Sequence, residues 1–208
     1  MRRLALLAAL VLLPALAQAQ SPQPAPPVDP TVHRHLGFFL RLDGGIGYLS
    51  SSTSLAGTSA SMSGVAIPFG VAIGGAVTEN LIIAGDLWGI AAVSPTYKLG
   101  GQSASSGDSS FSLGGIGINL TYYFMPHNIY LSVTPSLGGL SMSSSGVSAS
   151  SQAGFGVKVG LGKEWWVGDH WGLGVAGQFF LGINDDTGTN PPTWTTLGGG
   201  LAFSATYN

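Results

Sequence analysis

Cysteine is absent from this 208-residue chain, which excludes a disulfide framework and a lipidated cysteine. Charge is scarce as well. Only 8% of the residues are Asp, Glu, Lys or Arg, where a soluble domain carries about 25%, and so few charges cannot cover a water-facing surface. Beyond residue 20 no apolar run approaches the ~20 residues that a membrane-crossing helix needs. Glycine, by contrast, fills 33 of the 208 positions, far above its ~7% average share, and with serine it interrupts every apolar stretch. A chain this apolar without a spanning helix has one way into a bilayer. Its strands must close on themselves, so that every backbone N–H and C=O is paired. The composition therefore predicts an all-β chain closed as an antiparallel barrel.

The chain opens Met1-Arg2-Arg3, continues with an apolar run from Leu4 to Leu16 broken only by Pro14, and reaches Ala17-Gln18-Ala19. A basic start, a short apolar stretch and a small-x-small site describe a secretory signal peptide over residues 1–19, with cleavage expected after Ala19. A Pro-rich lead-in follows over residues 20–36, with five prolines between Gln20 and His35. It is expected to be a semi-extended spacer on the periplasmic side. Without Arg2 and Arg3 the chain carries five Lys/Arg against nine Asp/Glu, a formal charge of −4. Nothing basic is left to attract nucleic acid, so no such partner is expected.

From Gly37 onward the sequence alternates with period two, as strands with unlike faces do. Along residues 38–48 one face takes Phe38, Leu40, Leu42, Ile46 and Tyr48, and the other takes Phe39, Arg41, Asp43, Gly45 and Gly47. Along 65–77, Val65, Ile67, Phe69, Val71 and Ile73 alternate with Ala66, Pro68, Gly70, Ala72 and Gly74. Bulky apolar residues belong toward lipid, and small or polar ones fit the lumen of a narrow barrel. The same phase recurs around 81–93, 110–124, 129–137, 155–165, 171–181 and 195–207, which predicts eight strands in all. Short connections at 78–80, 125–128 and 167–170 alternate with longer Ser-, Gly- and Thr-rich ones, such as 49–63 and 98–109. Short periplasmic turns and long external loops are the habit of bacterial outer-membrane barrels. A closed eight-stranded transmembrane up-and-down barrel is thus expected over residues 37–208, surrounded by lipid in the outer membrane of a Gram-negative bacterium.

Aromatic residues cluster at the strand ends assigned to the periplasm. Trp165, Trp166 and Trp171 flank one short turn, and Tyr122, Tyr123 and Tyr130 flank another. All six are expected in a girdle at the headgroup level. The segment Leu161-Gly162-Lys163-Glu164-Trp165-Trp166-Val167-Gly168-Asp169-His170-Trp171-Gly172-Leu173-Gly174 resembles the hairpin before the final strand of the small eight-stranded outer-membrane barrels, the OmpA/OmpX-like group. Gly200-Leu201-Ala202-Phe203-Ser204-Ala205-Thr206-Tyr207-Asn208 is similar to the C-terminal signal read by the barrel assembly machinery, with Asn208 after Tyr207 where that signal usually ends on an aromatic residue. The resemblance runs from about Gly37 to Asn208. It implies the fold, the location and the assembly machinery as a partner during biogenesis. Activities in the group range from wall anchoring to adhesion and lipid modification, so no activity follows from it.

Catalytic and metal-binding patterns do not emerge. His33 and His35 supply two ligands where a site needs three or four. His127 and His170 fall in short turns, at the opposite end from the Ser-rich loops, which is the wrong geometry for a Ser–His hydrolase. Gly-x-Gly triplets such as Gly154-Phe155-Gly156 lie inside alternating strands with no helix after them, so they are read as small lumen residues rather than a phosphate loop. No enzyme activity, cofactor or metal is expected. The informative polar set is Arg41, Asp43, Asp86, Lys158 and Glu164, all on the predicted lumen face. Unpaired charges there would be costly, so they are expected to pair. Read as a plug, they belong to a barrel with a structural or surface-interaction role, whose external ligand the sequence does not name. Read as a filter, they line a narrow, porin-like passive pore in which lumen glycines and alanines leave space for water. A soluble carrier would need large apolar residues inside and charges outside, the reverse of this pattern.

Overall fold

Period-two alternation is realised in eleven strands: β1 (Phe38–Leu55), β2 (Thr58–Thr78), β3 (Leu81–Val93), β4 (Thr96–Leu99), β5 (Gln102–Ser105), β6 (Ser109–Phe124), β7 (Ile129–Ser144), β8 (Val147–Ser150), β9 (Gly154–Trp166), β10 (Trp171–Asp185) and β11 (Thr193–Tyr207). The computed structural model describes residues 34–55, 57–105 and 107–208. The expected signal peptide, and the lead-in as far as His33, lie outside the described residues. Among these no helix is long and apolar enough to cross a membrane.

Eight of the strands form the ring, in the order β1-β2-β3-β6-β7-β9-β10-β11, each antiparallel to its neighbours. The ring closes because β1 pairs with β11 as well as with β2, Arg41 standing opposite Thr206 on one side and Ala72 on the other. Closure leaves no ring strand with an unpaired edge, which a bilayer requires. The chain is the closed eight-stranded barrel that its alternation predicts.

The two faces separate as expected. Ile46, Val65, Ile67, Ile116, Leu137, Leu161, Leu201 and Phe203 are all exposed on the outside, while Arg41, Asp86, Thr134, Lys158 and Glu164 are buried within. Short connections lie at one end, and both termini of the ring lie there too, with Asn208 N–H donating to His170 O at 2.9 Å. Arg34 pairs with Glu79 of the first short turn, tying the incoming chain to that end.

Connections at the other end differ from expectation. The segments 49–63 and 98–109 are not irregular loops. β1 and β2 stay paired as far as Leu55 and Thr58, with Gly57 at φ +81° in the turn between them. β4 and β5 form a hairpin that docks on β2, Ala60 opposite Leu99, and β8 folds back on β7. The 21 residues of β2 exceed the ~9–11 that cross a bilayer, so the surplus stands beyond the membrane as a β-ribbon. Its serines and threonines tolerate water on both faces and bond across strands. At the ribbon's foot, between β1 and β11, the buried Ser51 Oγ and Thr196 Oγ1 lie 2.7 Å apart and Thr53 Oγ1 donates to Thr193 O at 2.8 Å. The exposed Ser141 Oγ and Ser150 Oγ lie 3.2 Å apart.

Candidate functional site in the barrel lumen

Inward positions of the ring strands converge on a polar layer in the short-turn half of the lumen. Arg41 Nη2 lies 3.1 Å from Glu164 Oε1 and donates to the Tyr123 hydroxyl at 2.6 Å. Tyr123 in turn donates to Glu164 Oε2 at 2.9 Å, and Thr206 Oγ1 donates to Oε1 at 2.7 Å. The Arg41 guanidinium also lies 4.1 Å from the centre of the Tyr130 ring, a cation–π contact that replaces hydration.

Lys158 bridges the second layer. Its Nζ is 2.9 Å from Asp86 Oδ2 and 3.7 Å from Asp43 Oδ2. Asp86 Oδ2 also accepts from Thr134 Oγ1 at 2.8 Å, while Asp43 Oδ1 accepts from Gln178 Nε2 at 2.8 Å. Asn119 extends the chain, donating to Thr134 Oγ1 at 2.9 Å and accepting from Thr121 Oγ1 at 2.6 Å. Seven ring strands supply these groups, and β2 supplies the space. A Cβ on Gly70 would stand 2.6 Å from Asp43 Oδ2 and 2.9 Å from Lys158 Nζ. The structure thus brings Arg41, Asp43, Asp86, Lys158 and Glu164 into two neighbouring clusters in which each charge has an opposite one. The void left among them, lined by Arg41, Asp43, Asp86, Lys158 and Gln178, measures about 10 Å³, room for about one water molecule.

Residue 35 caps this half. His35 is fully buried, its ring stacked on Tyr123 at 3.5 Å, and its Nε2 lies 2.8 Å from Asn128 Oδ1. Asn128 sits in the turn after β6 at φ +53°, a left-handed conformation that asparagine tolerates, and donates to Glu164 O at 3.3 Å.

The long-connection half is closed differently. Leu49, Met62, Trp88, Ile90, Phe111, Leu113, Leu140 and Phe180 form one buried apolar cluster, with Tyr97, Met142 and Trp194 packed against it from above. Trp88 and Phe180 meet with ring centres 5.4 Å apart. Glycines face the indole, since a Cβ on Gly156 or Gly115 would stand 3.1 or 3.2 Å from Trp88 Cζ2. This corrects the expectation that lumen glycines leave space for water, because large side chains from opposite strands occupy the space. It also corrects the view that large apolar residues are confined to the exterior.

Aromatic residues at the short-turn end divide by parity. Trp165, Trp171 and Tyr122 are exposed on the outer face, and Tyr207 packs edge-on against Trp171 at 5.3 Å. Tyr123, Tyr130 and Trp166 are not on that face. Tyr123 and Tyr130 are buried in the lumen, and the half-buried Trp166 tilts against His35 at 5.2 Å. Neighbours in a strand point to opposite sides, so Trp166 must turn in where Trp165 turns out.

His35, His127 and His170 all lie at the short-turn end, far from the serines of the ribbons, and His33 lies outside the described residues. Among the described residues no group of three His, Asp or Glu side chains is placed to hold a metal ion.

No family model and no curated relative matches the chain. Among solved structures it is similar to Neisserial surface protein A, with a TM-score of 0.52 and 20% identity over 80% of this chain and 96% of that one. Weaker likenesses are to the outer-membrane protein OprG from Pseudomonas aeruginosa (TM-score 0.46, 13% identity, 85% of this chain and 98% of that one) and to Ail, the attachment invasion locus protein of Yersinia pestis (0.38, 12%, 81% and 99%). The fold is that of the small eight-stranded outer-membrane barrels. A closed ring wearing an apolar belt fits the outer membrane of a Gram-negative bacterium.

Proposed function

We propose that this outer-membrane barrel is a closed, non-catalytic anchor that holds a hydroxyl-rich β-ribbon above the membrane for surface interaction. The filled lumen carries the reading. Ion pairs occupy its periplasmic half, around a void that admits about one water molecule, and an apolar cluster occupies its outer half. A hydrated ion crossing such a lumen would have to break both. The absence of catalysis is supported by the separation of every described histidine from the ribbon serines, so that none of these histidines can activate a serine at the outer rim.

Planar-bilayer recording tests the closed state. Purified protein inserted at a density verified by its heat-modifiable mobility is expected to give no conductance steps. Steps in a steady open state, altered by Asp86→Asn, would restore the pore reading. The surface role is tested by shortening the ribbon between residues 52 and 61. The barrel is expected to keep its mobility shift while cells lose adhesion to the surface under assay, and unchanged adhesion would remove the ribbon from the function.

A further inference from the structure

The outer face of the barrel bears one charge inside its apolar belt. Of the charged residues in the eight ring strands, Arg41, Asp43, Asp86, Lys158 and Glu164 point into the lumen, and Asp185 ends β10 at the ribbon side. Lys163 is the remaining one. It stands on β9 in the outward phase of Leu161 and Trp165, near the periplasmic rim. Its Nζ donates to His127 O at 2.6 Å and lies 5.6 Å from the centre of the Trp165 ring. An ammonium has three N–H groups, so two remain free to face outward.

Directly beside it the wall is recessed. A groove of about 350 Å³ runs from Lys163 across β9, β10 and β11 between Leu161, Val175 and Leu201. Its floor is open at Gly177, where an added Cβ would meet no heavy atom within 4 Å. A cation at the rim and an apolar trench leading from it toward the bilayer centre match the two ends of one kind of molecule.

We propose that this groove is a specific phospholipid site, with an acyl chain lying along Gly177 and the headgroup phosphate bound by Lys163. The occupant is a lipid of the periplasmic leaflet, since Lys163 lies at the short-turn end. Phosphate accepts the two free N–H groups in charge-assisted bonds, while the Trp165 ring and His127 O fix the amine where the headgroup sits. The proposal rests on the membrane-embedded reading of the barrel.

Native mass spectrometry of the detergent-purified barrel, titrated with dioleoyl phosphatidylglycerol, tests it. The wild type is expected to saturate at one bound lipid. Lys163→Met removes a charge-assisted contact and is expected to weaken binding about tenfold. Lys163→Arg is expected to retain binding, and Gly177→Leu to weaken it comparably by filling the trench. Neither position faces the lumen, so the heat-dependent mobility shift reports an intact barrel in each variant. Unsaturable binding, or equal binding by wild type, Lys163→Met and Gly177→Leu, would overturn the site. A lipid-independent dimer lost in Gly177→Leu would overturn it as well, by giving the groove to a second copy. A wild type without any mobility shift would instead sink the barrel reading beneath it.

Discussion

Around Arg41 and Lys158 the lumen is closed by named partners, each charge held by two or more groups at fixed distances. Around Trp88 and Phe180 it is closed by shape alone. The polar half is directional and interdependent, so losing one member strands the others without hydration. The apolar half is closer to additive, and losing a side chain there leaves a hole whose cost scales with its volume.

Breaking the polar half should have the largest effect. Lys158→Met leaves Asp43 and Asp86 facing each other without a cation, and is expected to destabilise the barrel by about 3–5 kcal/mol, the cost typical of orphaning a buried charge. Urea titration of the heat-modifiable band measures it, and a loss below 1 kcal/mol on the same scale would show that water reaches these carboxylates. Trp88→Ala comes next, at about 3 kcal/mol, because truncating a large buried aromatic leaves a cavity. It should stay electrically silent in a bilayer, since the ion pairs below remain. Conductance from Trp88→Ala alone would mean that the apolar half is the sole barrier.

The comparison sharpens with a third variant. Replacing Lys158, Asp43 and Asp86 together by Met, Asn and Leu removes the charges with their partners. It should recover most of the loss seen in Lys158→Met, because a buried ionic cluster exchanged whole for uncharged groups of similar size leaves no orphaned charge. A triple variant as unstable as the single one would show that the network does more than neutralise itself. At the small end, Ser141→Ala in the ribbon removes only an exposed contact to Ser150 Oγ. Its effect on urea unfolding should stay within about 0.5 kcal/mol.

Much of this architecture was legible from period and composition. The parity that sends Ile116, Ile118 and Leu120 outward also sends Asn119 and Thr121 inward, and the five lumen charges followed from it. Their partners did not, since Lys158 and Asp86 are 72 residues apart and only the stagger of the closed ring decides which strands face each other across the lumen. The apolar plug carried a usable signal that a search for polar residues passes over. Trp88 and Ile90 share the parity of Asp86, Phe180 that of Gln178, and Phe111 and Leu113 that of Asn119. Grouping aromatics by nearness in sequence put Tyr123, Tyr130 and Trp166 in the headgroup girdle, although alternation along their strands turns them into the lumen. The ribbons were hidden for another reason. Runs of serine resemble linkers in composition, and only pairing with a neighbour turns them into strands.

The seam between β1 and β11 has a kinetic consequence. It joins the first ring strand to the last, so Arg41 meets Thr206 across 165 residues of chain, and contacts of such sequence separation form late and slowly. Glu164 accepts from Arg41 and Thr206 alike, one on each side of that seam. Until β11 arrives, the carboxylate and the guanidinium lack their full set of partners in an environment that penalises the deficit. A half-assembled sheet therefore lacks polar partners that the finished ring supplies. Charge placement inside the lumen thereby makes the full pairing of its buried ions depend on closure of the ring.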